Sequence, residues 1–343
     1  MHADATAPSN ANDGPDGLPN TADDGLECGV GADADGEDAT TVGENSTASG
    51  VYAIAVGRDS RGISEGAIAV GRNAAADANH AVAIGSFASV TTNAGVAIGL
   101  SADADRTGVA VGFGSESEGG VSIGSSATGT DSSSTSVGRF SNANFLGTAL
   151  GDQAQATGNM GTALGAYTDA TGQYSTAIGA ASSASGIVGA QATADSATAV
   201  GAGTVANQSF ATALGAESSA SGDRSTALGA QAVASSTRTV AVGERAEATG
   251  FSSTSVGSFS KARADGASAF GSSASAGAPG ATALGQSASA SSNNTVAIGK
   301  SASARNARSV AVGANAIAFG QASVAIGNEA EALMNAIAIG GDA

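Results

Sequence analysis

Ten glycines stand fourteen residues apart without a break: Gly201, Gly215, Gly229, Gly243, Gly257, Gly271, Gly285, Gly299, Gly313 and Gly327. Each follows an aliphatic residue or Phe, as at Val200, Leu214, Phe270 and Ile326. That residue follows Ala or Ser, which in turn follows Thr, Val or Ser. With the glycine as position 1, position 4 is always small, and position 6 is Ala in every copy from Ala206 to Ala332. A fixed period of this length marks a stacked repeat, and it limits the fold before any single residue is weighed.

Two helical heptads also span fourteen residues, but a glycine in every second heptad costs about 1 kcal/mol relative to Ala inside a helix. Large and small residues before the glycine instead alternate with a period of two, as a strand requires. The pattern predicts strands near positions 11–14 and 3–7, with turns at the glycine and around positions 8–10. Each repeat is then one coil of an all-β parallel β-solenoid, hydrogen-bonded to the coils above and below. About twenty-two such coils, at about 4.8 Å each, would make an elongated particle of roughly 100 Å. Ordering the backbone costs roughly 1–2 kcal/mol per residue. One buried aliphatic per coil returns only about 1.5–3 kcal/mol. A thin roll of Ala and Gly therefore calls for further burial between identical chains.

Composition fits such a roll and little else. Aromatic residues make up 3% of the chain, Trp is absent, and 51 residues are Gly. These leave too little to fill an ordinary globular core. The net charge of -17 argues against nucleic acid or an anionic membrane as partner. No stretch is long enough for direct membrane insertion. Residues 1–39, rich in Asp, Gly, Pro and Ala, read as a disordered acidic leader without a basic or apolar export segment. Residues 40–343 form the repetitive roll. Its period shortens between Gly99 and Gly151, where Gly112, Gly124 and Gly138 intervene. A second lapse, at Ile187, Val188 and Gly189, precedes Gly201. Shortened steps must be absorbed in turns, because loss of one strand residue would turn its side chains to the other face. Position 12 is Ile or Val in early coils (Ile54, Val82), Thr in the middle (Thr148, Thr212), and often Val again later (Val296, Val324). It is expected inside the coil or at a seam between chains.

The recurring VAIG and TALG, with their small-residue columns, resemble the head repeats of trimeric autotransporter adhesins over nearly the whole roll. The resemblance implies a left-handed parallel β-roll, a homotrimer, and display at the cell surface or outside the cell. It implies a non-enzymatic adhesin that meets an unknown surface receptor or matrix protein through its lateral face. That family also carries an export signal, a neck, a coiled-coil stalk and a membrane-anchoring barrel, none of them visible in this sequence. A trimeric virion tail fibre, or a structural surface-layer or sheath protein, is the alternative for a long repetitive chain.

Few residues could do chemistry. The two histidines, His2 in the leader and His80 in a turn, leave no positioned imidazole for a Ser-His-Asp set, so no catalytic residues are assigned. Asp33 to Asp38 lack the glycine that a calcium loop needs at its sixth place, and they read as a solvated acidic run without a metal. No cofactor is expected. Cys28 has no partner in its own chain. Asn45, Asn207 and Asn293 open glycosylation-type triplets of the kind expected by chance in a chain so rich in Ser and Thr. The scarce large side chains are the binding candidates: Phe87, Leu100, Phe113, Phe140, Phe145 and Tyr167, at turn places usually held by polar residues. Packing between chains is the competing role for these rings. Arg58, Arg61 and Arg72 form the one local basic cluster. Binding is expected to follow the irregular stretch from Leu100 to Gly151.

Overall fold

Small residues at positions 4, 6, 11 and 13 turn inward in every regular coil, and this alternation decides the architecture. In one coil they are Ala274, Ala276, Ala281 and Ala283, all wholly buried. The computed structural model describes residues 25–180 and 188–341. It contains β-strands and turns only among them, as the repeat predicts. Each coil has one three-residue strand at positions 12–14, such as Thr282–Leu284, and one two-residue strand at positions 5–6, such as Ser289–Ala290. Like strands pair in parallel and in register with those one coil away, for example Thr282↔Val296 and Ser289↔Ser303.

The chain divides into two compact units, residues 1–163 and 164–343. In the first, three-residue strands run from Leu26–Cys28 to Thr148–Leu150, and two-residue strands from Thr47–Ala48 to Gln155–Ala156. In the second, the two ladders run from Thr176–Ile178 to Ile337–Ile339 and from Asp169–Ala170 to Glu331–Ala332. Pairing begins ahead of the expected boundary at residue 40, since Leu26–Cys28 lies in register with Thr40–Val42. Asp33 likewise bridges to Thr47, so the acidic run is built into a coil. The alternation of Leu26, Glu27 and Cys28 already has a strand's period, which an acidic composition masks. Residues 1–24 of the expected leader, with His2, and residue 187 of the second lapse lie outside the described residues.

The core is narrower than expected. The largest wholly buried side chains are Val90, five threonines and serines. Positions 12 and 14 are not internal: with position 13 facing inward, their side chains stand on the outer face. Leu214, Leu284 and Ile326 are exposed there by 43%, 46% and 39%. The expectation of one buried aliphatic per coil is therefore corrected. The coil encloses room for methyl groups, and the larger residues form a ridged apolar band outside it.

Shortening falls on one side of the coil. Four residues join the three-residue strand to the two-residue strand in both regular and short coils, as between Val70 and Ala75, Ile98 and Asp103, or Val111 and Glu116. This glycine turn keeps its length everywhere but between Ile178 and Gln191, where twelve residues intervene. The far turn, on the return, has five residues between Ala76 and Val82, four between Ala104 and Val109, and three between Ser117 and Val121. In the full-length coil from Gly85 to Gly99, Gly95 makes room for Val90 instead, since a Cβ there would lie 3.0 Å from the Val90 Cγ1.

Candidate partner-binding edge

Two places in each regular coil take a left-handed backbone, position 3 in the glycine turn and position 10 in the far turn. Their side chains point away from the roll, so equivalent residues of successive coils stack along its edges. Asn, Ser or Gly fills nearly half of these places, and Asp, Gln, Glu or Arg many of the others. Phe87, Phe140 and Tyr167 occupy position 3 with φ of 59°, 54° and 57°, although a bulky residue rarely adopts such angles.

Each left-handed Phe is stacked with an arginine. Arg72 lies over Phe87 at 4.8 Å, Arg139 over Phe140 at 5.3 Å, Arg224 over Phe210 at 5.4 Å and Arg245 over Phe259 at 5.5 Å. Such a stack is worth about 0.5–1 kcal/mol at an exposed site. The left-handed backbone costs roughly 1–2 kcal/mol. The arginines thus offset part of the strain and hold the rings upright, but stability alone does not account for placing Phe here.

Four of the six candidates share one edge of the first unit. Phe87, Leu100, Phe113 and Phe140 all lie in the glycine turn, at position 2 or 3, and are 46%, 44%, 58% and 48% exposed. Main-chain bonds join their coils: the Gly114 N–H donates to the Leu100 carbonyl (2.9 Å) and the Ser126 N–H to the Phe113 carbonyl (2.8 Å). In the Phe113 coil the ring has moved back one place and Gly114 takes the left-handed position, with φ of 57°. Phe145 is exposed in the far turn, on the opposite edge, with Leu146 and Met160 near it. Tyr167 holds the same position-3 place in the second unit and is also exposed. Large side chains and length variation therefore coincide only in part between Leu100 and Gly151: Leu100, Phe113 and Phe140 sit in the glycine turn, which keeps its length here, while Phe145 and Leu146 sit in a far turn shortened to four residues.

The basic cluster separates as well. Arg58 and Arg72 stand at position 2 of the glycine turn, with Arg58 3.4 Å from the Asp59 carboxylate. Arg61 lies on the outer face of the two-residue ladder, where it is paired with Asp77. Arg139 donates twice to the Asp152 carboxylate, at 2.9 Å each, and holds that carboxyl below its ordinary range. Beside Leu100 and Phe113 are two residues that the sequence reading passed over. Asp103 and Glu116, three places further along each coil, stand exposed in register on the outer face of the short strands. Burial, then the Asp105 charge, pushes the Asp103 carboxyl up, although the Ser89 hydroxyl opposes the shift. Their position-5 alignment was legible in the sequence.

The remaining candidates are turn or strand residues. His80 takes a left-handed far-turn place, with φ of 56°. Cys28 is exposed at position 14, in register with Val42. The Asn45 amide donates to the Asp59 carboxylate at 3.3 Å. No described helix is long and apolar enough to cross a membrane.

A chain of in-register parallel coils with an apolar outer band and rings along its turns belongs to the class of repetitive parallel β-solenoids. The YadA head domain repeat matches residues 34–60, 64–88, 80–102, 146–168, 170–187, 192–218, 220–246, 248–274, 276–302 and 304–330. These matches cover well over half of the chain, and the chain belongs to that family of trimeric autotransporter adhesin heads. No curated protein matches it. The matches pass over residues 103–145, where the far turns shorten.

Proposed function

We propose that this chain is a non-enzymatic adhesin head displayed at the cell surface, where it assembles as a homotrimer and holds its partner through the glycine-turn edge. Membership in the adhesin-head family is the observation that carries this reading. The apolar band supports the homotrimer: in each unit it presents Ile, Val, Leu and Thr to the outside, coil after coil. A patch of that kind on a soluble protein normally meets another surface. Identical neighbours supply the same stripe at no cost in new sequence. Three copies is the number the family implies.

The lateral partner, a surface receptor or matrix protein, would meet Phe87, Leu100, Phe113 and Phe140. Aromatic side chains held rigidly on an otherwise polar edge are suited to anchoring a contact. In an adhesion assay on partner-coated surfaces, Phe113→Ser with Phe140→Ser should lower retention at least about tenfold, a loss of roughly 1.4 kcal/mol. The assembly mass from light scattering should not change. Full retention would remove the edge as a binding surface, and a fall in mass would make these rings packing between chains.

A further inference from the structure

We infer that the glycine-turn edge of the first unit, where Leu100 and Phe113 stand beside Asp103 and Glu116, docks a basic polypeptide segment with apolar side chains. This rests on the adhesin reading above and names the chemistry of the partner at the same edge. Leu100 and Phe113 occupy position 2 of successive coils and expose an apolar step. Asp103 is directly aligned with Glu116. Two residues further along the same strands' continuation, Asp105 and Glu118 follow on the same face.

Like charges placed directly opposite each other on neighbouring strands destabilise a sheet. Three carboxylates of the first unit do find an arginine, in Arg58–Asp59, Arg61–Asp77 and Arg139–Asp152. Among the described residues none of these four carboxylates is in an ion pair. Asp105 accepts from the Thr91 and Thr92 hydroxyls, at 2.7 and 3.4 Å. A cationic partner would neutralise the stacked charge while its apolar side chains cover Leu100 and Phe113.

The wider field favours the same occupant. Residues 1–163 hold twenty acidic residues against five arginines, whereas residues 164–343 hold ten against eight basic ones. Such a field attracts cations to the first unit and repels polyanions. A second copy of this edge would set carboxylate against carboxylate, so the edge is not self-complementary.

The test uses the full chain and three labelled synthetic peptides, one alternating Lys and Leu, one alternating Glu and Leu, and one alternating Lys and Ser. Binding is read by fluorescence anisotropy at low and at physiological salt. The Lys-Leu peptide should bind at least about tenfold more tightly than the other two, and more weakly as salt rises. Asp103→Asn with Glu116→Gln should weaken it at least about threefold and flatten its salt dependence. Leu100→Ser with Phe113→Ser should weaken it at least about tenfold. Glu37→Gln with Glu65→Gln, which removes the same charge from the far turn, should change it less than twofold.

Equal loss from both charge pairs would leave only a general field and overturn the docking site. Tight binding of the Glu-Leu peptide, or indifference to Asp103→Asn with Glu116→Gln, would overturn the basic partner. A lower assembly mass in the Leu100→Ser, Phe113→Ser variant would assign the step to a second copy and overturn the inference. Loss of adhesion to coated surfaces in that variant, with no dependence on the two carboxylates, would retain the adhesin reading while rejecting a cationic partner. Indifference of both binding and adhesion to every variant would reject the two together.

Discussion

The glycine that closes each repeat is fixed by the backbone of the next coil. At Gly243 φ is +128°, and a Cβ would lie 2.6 and 2.7 Å from the Gly257 carbonyl carbon and oxygen. Real Cβ atoms do not approach backbone so closely, and no flexible side chain is there to move aside. Gly243→Ala should therefore lower stability by at least about 2 kcal/mol, read as a fall in the urea midpoint with the slope unchanged. Asp103 gives a pH test. Its carboxyl is pushed up in the folded state, so folding binds the proton more tightly than the unfolded chain does. The resulting penalty is absent below the unfolded pKa and accumulates as pH rises through the window up to the folded value. Asp103→Asn should thus raise stability at neutral pH by about a few tenths of a kcal/mol at this partly solvated site, read as a higher melting midpoint. The gain should shrink as the pH falls into the ordinary carboxylate range. A gain that is equal at both pH values would assign the effect to something other than ionisation.

At the scale of the coil, the period of two told which residues share a face but not which face is inside. Val312 and Ile326 are large and apolar, and a single chain's economy argues for burying them. The dimensions of the coil decide otherwise, because its interior is already filled by Ala, Ser and Thr at positions 4, 6, 11 and 13, and the aliphatics are turned outward. The sequence did contain this answer in the strictness of those columns, since only a space too narrow for a larger group keeps them so uniformly small. The same kind of signal lay in the glycines of the short coils. Gly108 takes a usual Ala place where a Cβ would meet the Ser117 Oγ at 2.7 Å. The edge was legible as well, because rings at positions 2 and 3 stand in turns. Phe145 was grouped with Phe140 by closeness in sequence, and half a coil of chain carries it to the opposite edge. What sequence spacing did not convey was the left-handed backbone under Phe87 and Phe140, or the arginines stacked on them.

For the whole molecule, outward-facing aliphatics sharpen the energetic argument. The interior of one chain buries little beyond methyl groups, while ordering its backbone costs roughly 1–2 kcal/mol per residue. Hydrogen bonds between coils return about 0.5–1.5 kcal/mol each. The apolar band is the large reserve, and a single chain leaves it in water. Burial of that band between chains should make folding and association a single event, with apparent stability rising with concentration. The direct measurement is thermal melting over a dilution series, with mass followed by light scattering, for the native chain and for Ile298→Ala with Val312→Ala and Ile326→Ala. A midpoint that climbs with concentration, together with a triple variant that loses roughly 1–3 kcal/mol per site in each chain, is the predicted result. A stable monomer whose midpoint ignores dilution, and which the three substitutions barely touch, would contradict it.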